Sequence, residues 1–166
     1  MSKLLREYIA FPYDKAIIAE AKEKKQPIIL QGVLQRADTE NQNKRVYGRD
    51  ILEREINNYQ KAVQEGRAVG ELDHPDSSVV ELQNVSHIVR ELWWDKNEVM
   101  GKVEILNTPK GKIVQDLMEA GVKIGISSRG VGETTKTNEG VDVVNDDFLI
   151  IRVGYCKRTE HTESGG

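Results

Sequence analysis

Two short segments of the sequence carry residue types that can perform nucleophilic catalysis. A histidine, His74, lies between Gly70 and Pro75, and a pair of serines, Ser127 and Ser128, lies in a glycine-rich stretch further along the chain. A serine hydroxyl becomes an effective nucleophile when a nearby base takes its proton, and histidine is the commonest base. The two segments together therefore predict an acyl-transfer site. An exposed turn is the alternative interpretation of either segment alone.

The residues around the serine pair offer groups that stabilise negative charge. Neighbouring side chains of a strand point to opposite faces, so only one of the two serines can meet His74. Arg129 directly follows the pair and would stabilise an oxyanion or receive an acidic substrate side chain. Gly130 lets a substrate backbone come close, and N–H groups near it are candidate oxyanion donors. The spacing matches neither the Gly-x-Ser-x-Gly nucleophile elbow nor a phosphate-binding loop.

Metal binding is a much weaker prediction than nucleophilic catalysis. A metal-assisted hydrolase would use Glu71, Asp73 and His74, but no second histidine lies four residues from His74, as a zincin helix requires. His87 falls in a predicted strand as a packed histidine, and His161 lies in a polar tail. We therefore expect neither a metal ion nor another cofactor.

The composition excludes several classes of protein. A chain of 166 residues suits one domain, and a net charge of -3, from 24 basic and 27 acidic residues, argues against nucleic acid or an anionic membrane as the main partner. The single cysteine, Cys156, makes an internal disulfide impossible. No apolar run approaches the roughly 20 residues of a membrane helix, and the N-terminus carries no secretion signal. These features predict a single-domain protein of a reducing compartment.

Local patterns predict the elements that must position these residues. We expect a mobile polar leader over 1–27 that contains a helix at 15–25, a folded core over 28–156, and a polar tail over 157–166. Apolar residues at helical spacing predict a helix over 49–64, and Thr108-Pro109 predicts the start of another that ends at Gly121. The predicted strands cover 28–34, 85–94, 98–106 and 123–131, and another lies within 141–153, with turns at 95–97 and 137–140.

The order of these elements indicates the fold class. About six strands and two or three helices occur without a regular alternation of strand and helix, which disfavours a doubly wound parallel sheet. The sequence predicts an α+β domain built on an antiparallel sheet or barrel.

Several motifs, in their order and spacing, resemble those of the prohead core protein proteases of T4-like tailed phages. The resemblance runs over most of the chain, and each motif is weak when taken alone. The motifs are Asn43-Lys44-Arg45-Val46-Tyr47, Gly70-Glu71-Leu72-Asp73-His74-Pro75, Glu91-Leu92-Trp93-Trp94, Gly125-Ile126-Ser127-Ser128-Arg129-Gly130, Thr137-Asn138-Glu139-Gly140 and Val144-Asn145.

The resemblance implies a serine endopeptidase that is distantly related to herpesvirus assemblins. Its fold would be an antiparallel β-barrel-like core with flanking helices. Such an enzyme acts in the host cytoplasm inside the immature phage capsid, where it cleaves scaffold, core and major capsid proteins and also processes itself. The resemblance also implies a homo-oligomer, with a ring as one arrangement.

The family pattern assigns roles to residues of this sequence. His74 corresponds to the catalytic histidine, and the nucleophile belongs to the Ser-Ser-Arg-Gly motif, where we favour Ser127 over Ser128. Family members cleave after Glu when Leu or Ile lies two residues before it. Leu5-Arg6-Glu7 fits this pattern, so we predict self-cleavage after Glu7, with the leader occupying the active site beforehand.

The sequence departs from the family pattern after the last predicted strand. An Asp-x-Val motif that would supply an orienting aspartate is absent from its expected place, and we predict Asp147 as its replacement. Other carboxylates and one histidine are alternatives, and an unoriented histidine would be slow. The departure favours a second hypothesis, that of a catalytically weakened, non-enzymatic capsid-assembly protein of the same fold. The alternative orienting residues are Glu71, His87, Asp142 and Asp146.

Overall fold

The structure is a computed structural model that describes residues 3–72 and 82–158, with side chains described as far as residue 151. This part of the chain forms three α-helices, one 3-10 turn and ten strands. The helices are α1 (Lys15–Glu23), α2 (Arg49–Gln64) and α3 (Pro109–Glu119), and the 3-10 turn is Leu82–Asn84. The strands are β1 (Lys3–Ala10), β2 (Ile28–Arg36), β3 (Arg45–Val46), β4 (Val69–Glu71), β5 (Val85–Asp95), β6 (Glu98–Ile105), β7 (Ile124–Gly132), β8 (Thr134–Lys136), β9 (Asp142–Val144) and β10 (Leu149–Arg158).

The helices begin and end where local signals predict. The Asp14 carboxylate accepts a hydrogen bond of 2.9 Å from the Ala16 N–H at the start of α1, and the Thr108 hydroxyl accepts one of 3.0 Å from the Gly111 N–H in α3. These bonds satisfy N–H groups that have no partner inside the helix. None of the helices in the described ranges is long and apolar enough to cross a bilayer.

Two antiparallel sheets enclose the core. The order β1-β7-β10 forms the first, which we call the serine sheet, and the order β2-β6-β5-β4 forms the second, the hairpin sheet. The edge strand β1 lies beside β2, and β10 lies beside β4, so the sheets approach each other at both edges. A small third sheet has the order β3-β9-β8, and Arg45 of its strand β3 contacts Glu7 of β1. The predicted α+β class with antiparallel sheets is confirmed.

One apolar core joins the two sheets and the helices. Leu5 and Ile126 of the serine sheet belong to the same buried cluster as Val89 and Val103 of the hairpin sheet. Apolar residues of α2 and α3 complete it, and these include Leu52, Ile56, Val114 and Met118. Burial of apolar area, at roughly 25 cal/mol per Å², is the main term that holds such a fold together.

The prediction of a mobile leader over 1–27 is wrong for the residues described. Residues 3–10 form strand β1, which pairs with β7 along its whole length, and Leu5 is only 1% exposed. Leu5 and Glu7 are buried and alternate with the exposed Leu4 and Arg6, so one face of this part of the strand is sequestered. The leader is therefore part of the fold.

The C-terminal elements also differ from the prediction. The stretch 141–153, predicted to contain one strand, holds β9 and the start of β10, separated by a turn in which the Phe148 N–H donates to the Asn145 carbonyl at 3.2 Å. Lys157 and Arg158, assigned to the tail, pair in β10 with Gly125 and Ile124. The remaining residues of the tail lie outside the described part of the chain.

Candidate active site

The two serines lie side by side on β7, the central strand of the serine sheet. Ser127 is opposite Tyr8 of β1, and Ser128 is opposite Glu7. Both are buried, at 4% and 5% exposure. Because β7 has a strand on each side, its backbone is held more firmly than that of an edge strand, which suits a residue that must present a hydroxyl in a fixed direction.

The two hydroxyls project from opposite faces of the sheet. Ile124 and Ile126 of β7 belong to the apolar core, and side chains two residues apart share a face of a strand. Ser128 therefore faces the core. Ser127 projects from the other face together with Arg129, which is 1% exposed. Of the two serines, Ser127 shares its face with the guanidinium predicted to stabilise an oxyanion.

The ladder between β7 and β10 is irregular next to Ser127. The pairing of β10 with β7 shifts register twice, once between Ile150 and Arg152 and again between Arg152 and Tyr155, which is opposite Ser127. Extra residues of this kind interrupt the regular exchange of backbone hydrogen bonds, and such bulges are frequent beside active sites. Sequence reasoning missed this feature, because a register shift depends on two strands that are distant in sequence.

The backbone groups of Gly130 face β1. The Arg6 carbonyl accepts hydrogen bonds from the side chains of Asn43 and Arg45, so it points to the open edge of β1. Backbone groups of successive residues in a strand point to opposite sides, so the N–H and C=O groups of Leu5 point toward its partner Gly130 on β7. A Cβ on Gly130 would lie 2.4 Å from the Phe148 ring, which shows that this position is packed against the core. By the same alternation, the backbone N–H groups of Ser127 and Arg129, near Gly130, point toward β10 and its register shifts.

His74 lies outside the described residues, but the strand that leads to it is close to the serine sheet. Strand β4 ends at Glu71, and the Leu72 N–H donates to the Asn84 carbonyl at 3.2 Å. Strand β4 lies beside β10, which is the neighbour of β7 in the serine sheet.

The predicted orienting residue, Asp147, is not brought to the serines. Its carboxylate accepts a hydrogen bond of 3.1 Å from the N–H of Glu133. Glu133 follows β7 six residues after Ser127, which corresponds to about 20 Å of extended chain. Asp146 pairs instead with Arg54, and Asp142 pairs with Lys136.

The other two alternatives, Glu71 and His87, lie together on the hairpin sheet. Glu71 is completely buried and pairs with Val85, while His87 pairs with the preceding residue of β4, Gly70. The Ser86 hydroxyl lies 2.8 Å from His87 Nδ1. His87 Nε2 is buried and has no hydrogen-bond partner in the part of the chain that is described. Burial lowers the pKa of His87 from 6.5 to about 3, so this imidazole is neutral at pH 7.

The burial of His87 predicts a loss of stability in acid. Between pH 6.5 and about 3 the unfolded chain binds a proton at this residue and the folded chain does not, so acid favours unfolding. The free energy of unfolding should fall by up to about 1.4 kcal/mol per pH unit through this window. Urea titrations at successive pH values will measure it, with His87→Gln as the non-titrating control. Equal pH slopes for the two proteins would contradict the prediction.

Glu7 is the centre of a buried polar cluster that sequence reasoning missed. Its Oε1 accepts hydrogen bonds from Asn41 at 2.7 Å and Asn43 at 2.9 Å, and its Oε2 accepts one from Arg45 Nε at 2.8 Å and another from the Tyr47 hydroxyl. Burial and the Glu7 carboxylate raise the pKa of Tyr47, which therefore remains a donor. Three of these four partners, Asn43, Arg45 and Tyr47, belong to the motif at 43–47. The only sequence signal was that motif.

Metal chemistry finds no support in the described part of the chain. No group of three histidine, cysteine or acidic side chains lies close enough there to hold a metal ion. Asp73 and His74 of the predicted metal set lie outside the described residues.

Comparison with known proteins assigns the chain to a family. Residues 13–156 match the family of the prohead core protein serine protease. The prohead core protein protease of Enterobacteria phage T4 is 34% identical over 127 residues, which cover 74% of this chain and 59% of the relative. This chain thus spans about three-fifths of the length of that curated relative.

A solved structure shows the same fold. The capsid assembly protease of bacteriophage T4 matches with a TM-score of 0.82 and 26% sequence identity, over 95% of this chain and 99% of that chain. The matched residues 13–156 include both the histidine segment and the serine strand, and the resemblance inferred from the motifs is confirmed. The chain therefore belongs to the prohead core protein serine protease family.

Proposed function

We propose that this chain is a serine endopeptidase of phage prohead maturation, with Ser127 as its nucleophile and His74 as its base. The observation that carries the proposal is the position of the family's Ser-Ser-Arg-Gly motif on a central strand, where Ser127 and Arg129 share the face turned away from the core and the neighbouring ladder changes register. Membership of a family named for this activity supports it.

The proposed reaction is acyl transfer through a covalent intermediate. His74 takes the proton of the Ser127 hydroxyl as the oxygen attacks the scissile carbonyl, and then gives it to the departing amine. Water, activated by the same histidine, releases the acid product and restores the serine. Arg129 and backbone N–H groups beside the register shifts would stabilise the oxyanion, where loss of one donor typically costs about 3 kcal/mol of transition-state stabilisation.

The third member of the catalytic group is best sought on β4 and β5. Asp147 is bonded to Glu133, which lies about 20 Å along the extended chain from Ser127. Glu71 and His87 lie instead at the edge of the hairpin sheet that approaches β10. We propose Glu71 as the more suitable orienting group, because a carboxylate favours the imidazolium that forms during the reaction and a neutral imidazole does not.

The substrates we propose are scaffold, core and major capsid proteins, cleaved after Glu with Leu or Ile two residues earlier. The enzyme would act as a homo-oligomer inside the prohead, in the host cytoplasm, without a cofactor. The T4 relative's description as a capsid assembly protease supports this setting.

A second candidate function is a non-enzymatic assembly protein of the same fold. It is favoured by the burial of both serines, which are 4% and 5% exposed. A nucleophile must be reached by its substrate, so a serine that stays covered would be inactive. In this case the fold would contribute binding surfaces only.

Hydrolysis of a quenched fluorescent peptide distinguishes these functions. We expect cleavage after Glu in a peptide containing Leu-Ala-Glu, weak or no cleavage of the Leu-Ala-Gln peptide, and inhibition by a fluorophosphonate that labels serine nucleophiles. EDTA should have no effect. If the protein shows no hydrolysis and no labelling, the non-enzymatic function is favoured. Inhibition of hydrolysis by EDTA would favour the metal-assisted hydrolase.

A further inference from the structure

A groove of about 700 Å³ lies where the serine sheet meets the hairpin sheet. One wall is β1, and the other is the end of β2 with the loop that follows it. Tyr8 and Ala10 line the first wall, while Val33 and Gln35 line the second. The groove is on the open side of β1, opposite the side that pairs with β7.

The open edge of β1 presents backbone hydrogen-bonding groups to this groove. The Arg6 carbonyl already accepts bonds at this edge from Asn43 and Arg45, at 3.0 and 3.2 Å. Backbone groups of an edge strand alternate in direction, so those of Tyr8 and Ala10 also point outward, away from β7. An exposed strand edge of this kind is a template for another extended chain.

A buried amide lines the facing wall. Gln35 is 7% exposed, and its Nε2 is buried without a hydrogen-bond partner in the described residues. Buried polar groups almost always have a partner, and an amide N–H is suited to a peptide carbonyl. The groove therefore combines an open strand edge with a donor held in its wall, which are the two requirements for recognising a backbone.

We propose that this groove binds an extended segment of a polypeptide substrate, which adds to β1 as a further strand. The inference rests on the proposed function, because Tyr8 of β1 lies directly opposite Ser127 and so connects the groove to the catalytic strand. Strands lie about 4.8 Å apart, which places a peptide on β1 about 10 Å from β7.

That separation determines which part of the substrate is bound. A hydroxyl on β7 cannot attack a peptide bond 10 Å away. An extended chain rises about 3.3 Å per residue, so the residues in the groove lie at least three positions from the cleaved bond. The favoured substrates are therefore long, extended segments, and short peptides that end before the groove gain nothing from it.

Two peptides measure this contribution. The first is an eight-residue peptide centred on Leu-Ala-Glu, and the second extends it to 20 residues with flanks of alternating Thr and Val. We expect wild-type kcat/KM to be at least tenfold higher for the long peptide. A long peptide with N-methyl groups on alternate flanking residues, which cannot form a strand ladder, should return to the value of the short one.

Proline substitutions test the strand edge from the side of the protein. Ala10→Pro removes an outward N–H at the groove, and Leu4→Pro removes one from the same strand outside it, where edge strands tolerate proline. The ratio of long-peptide to short-peptide kcat/KM should fall to about one in Ala10→Pro and stay at the wild-type value in Leu4→Pro. Equal ratios in wild type and Ala10→Pro, or no effect of N-methylation, would overturn the proposal.

Binding separates this inference from the proposed function. If wild type hydrolyses neither peptide, the proposed protease activity fails, and the groove is then tested by fluorescence anisotropy of the labelled 20-residue peptide with the unmodified chain. Binding that weakens at least fivefold on N-methylation supports the groove. Absent binding, or equal binding of both peptides, overturns it.

Discussion

Replacement of Ser127 by alanine is expected to lower kcat for Leu-Ala-Glu peptides by at least about 10⁴-fold, with little change in KM or in thermal stability. Removing the attacking oxygen leaves only binding and oxyanion stabilisation, which accounts for a loss of this size. The hydroxyl of Ser127 lies on the face of β7 turned away from the apolar core, so its loss removes little packing. Steady-state kinetics with the quenched peptide, together with circular dichroism melting, measure both quantities.

Ser128→Ala is the matched control, since it removes the same atom from the neighbouring residue. Ser128 faces the core side and lies opposite Glu7, so we expect most of the activity to remain. Mass spectrometry of the fluorophosphonate-labelled protein should locate the adduct on Ser127. An active Ser127→Ala protein combined with an inactive Ser128→Ala protein would instead assign the nucleophile to the core face.

The helices and the central hairpin could be predicted because their signals are local. The helix over 49–64 follows from apolar residues at helical spacing, and α3 begins at Thr108-Pro109 and is followed by Gly121, whose φ of +83° suits glycine. The β5–β6 hairpin is joined by a short polar turn. Each signal is contained within a few residues, so no knowledge of the remaining fold is required.

Strand partners could not be predicted in the same way. Residues 3–10 read as a polar leader because their partner, β7, begins more than a hundred residues later. The alternation of Leu5 and Glu7 with exposed neighbours gains its meaning only from that pairing. The residue type of Asp147 suits an orienting carboxylate, but its bond to Glu133 depends on the turn between β9 and β10. Long-range pairing thus decides which polar residues meet.

In the candidate site, too, local features could be predicted and contacts between distant segments could not. The serine pair and its arginine could be found from residue types, and the face of β7 that each occupies followed once the strand was known. The register shifts opposite Ser127 and the polar cluster around Glu7 could not be found, because both arise between segments remote in sequence. Catalytic residue types are thus easier to predict than the contacts that position them.

Glu7→Ala is expected to lower the free energy of unfolding by about 3–5 kcal/mol, the range for breaking a buried ion pair by removal of one partner. Four side chains donate to the Glu7 carboxylate, and alanine would leave the partly buried Arg45 and the buried Tyr47 without their acceptor. Urea denaturation measures the change. Glu7→Gln, which keeps the volume and one acceptor oxygen, should lose less, and the exposed Glu23→Ala should lose almost nothing. A loss below 1 kcal/mol in Glu7→Ala would contradict the assignment.

The same cluster bears on the self-processing that we propose after Leu5-Arg6-Glu7. Because Glu7 is 6% exposed and its strand is paired with β7, the bond after it can reach a catalytic serine only when β1 leaves the sheet. Tyr47→Phe removes one donor and keeps Glu7, so it should loosen β1 and raise the rate at which the N-terminal residues are lost. Mass spectrometry of wild type and Tyr47→Phe over time, with Ser127→Ala as the inactive control, compares these rates. The prediction is contradicted if wild type and Tyr47→Phe are both active and both keep the bond between Glu7 and Tyr8. In that case β1 is a permanent strand of the enzyme and not a segment that it removes.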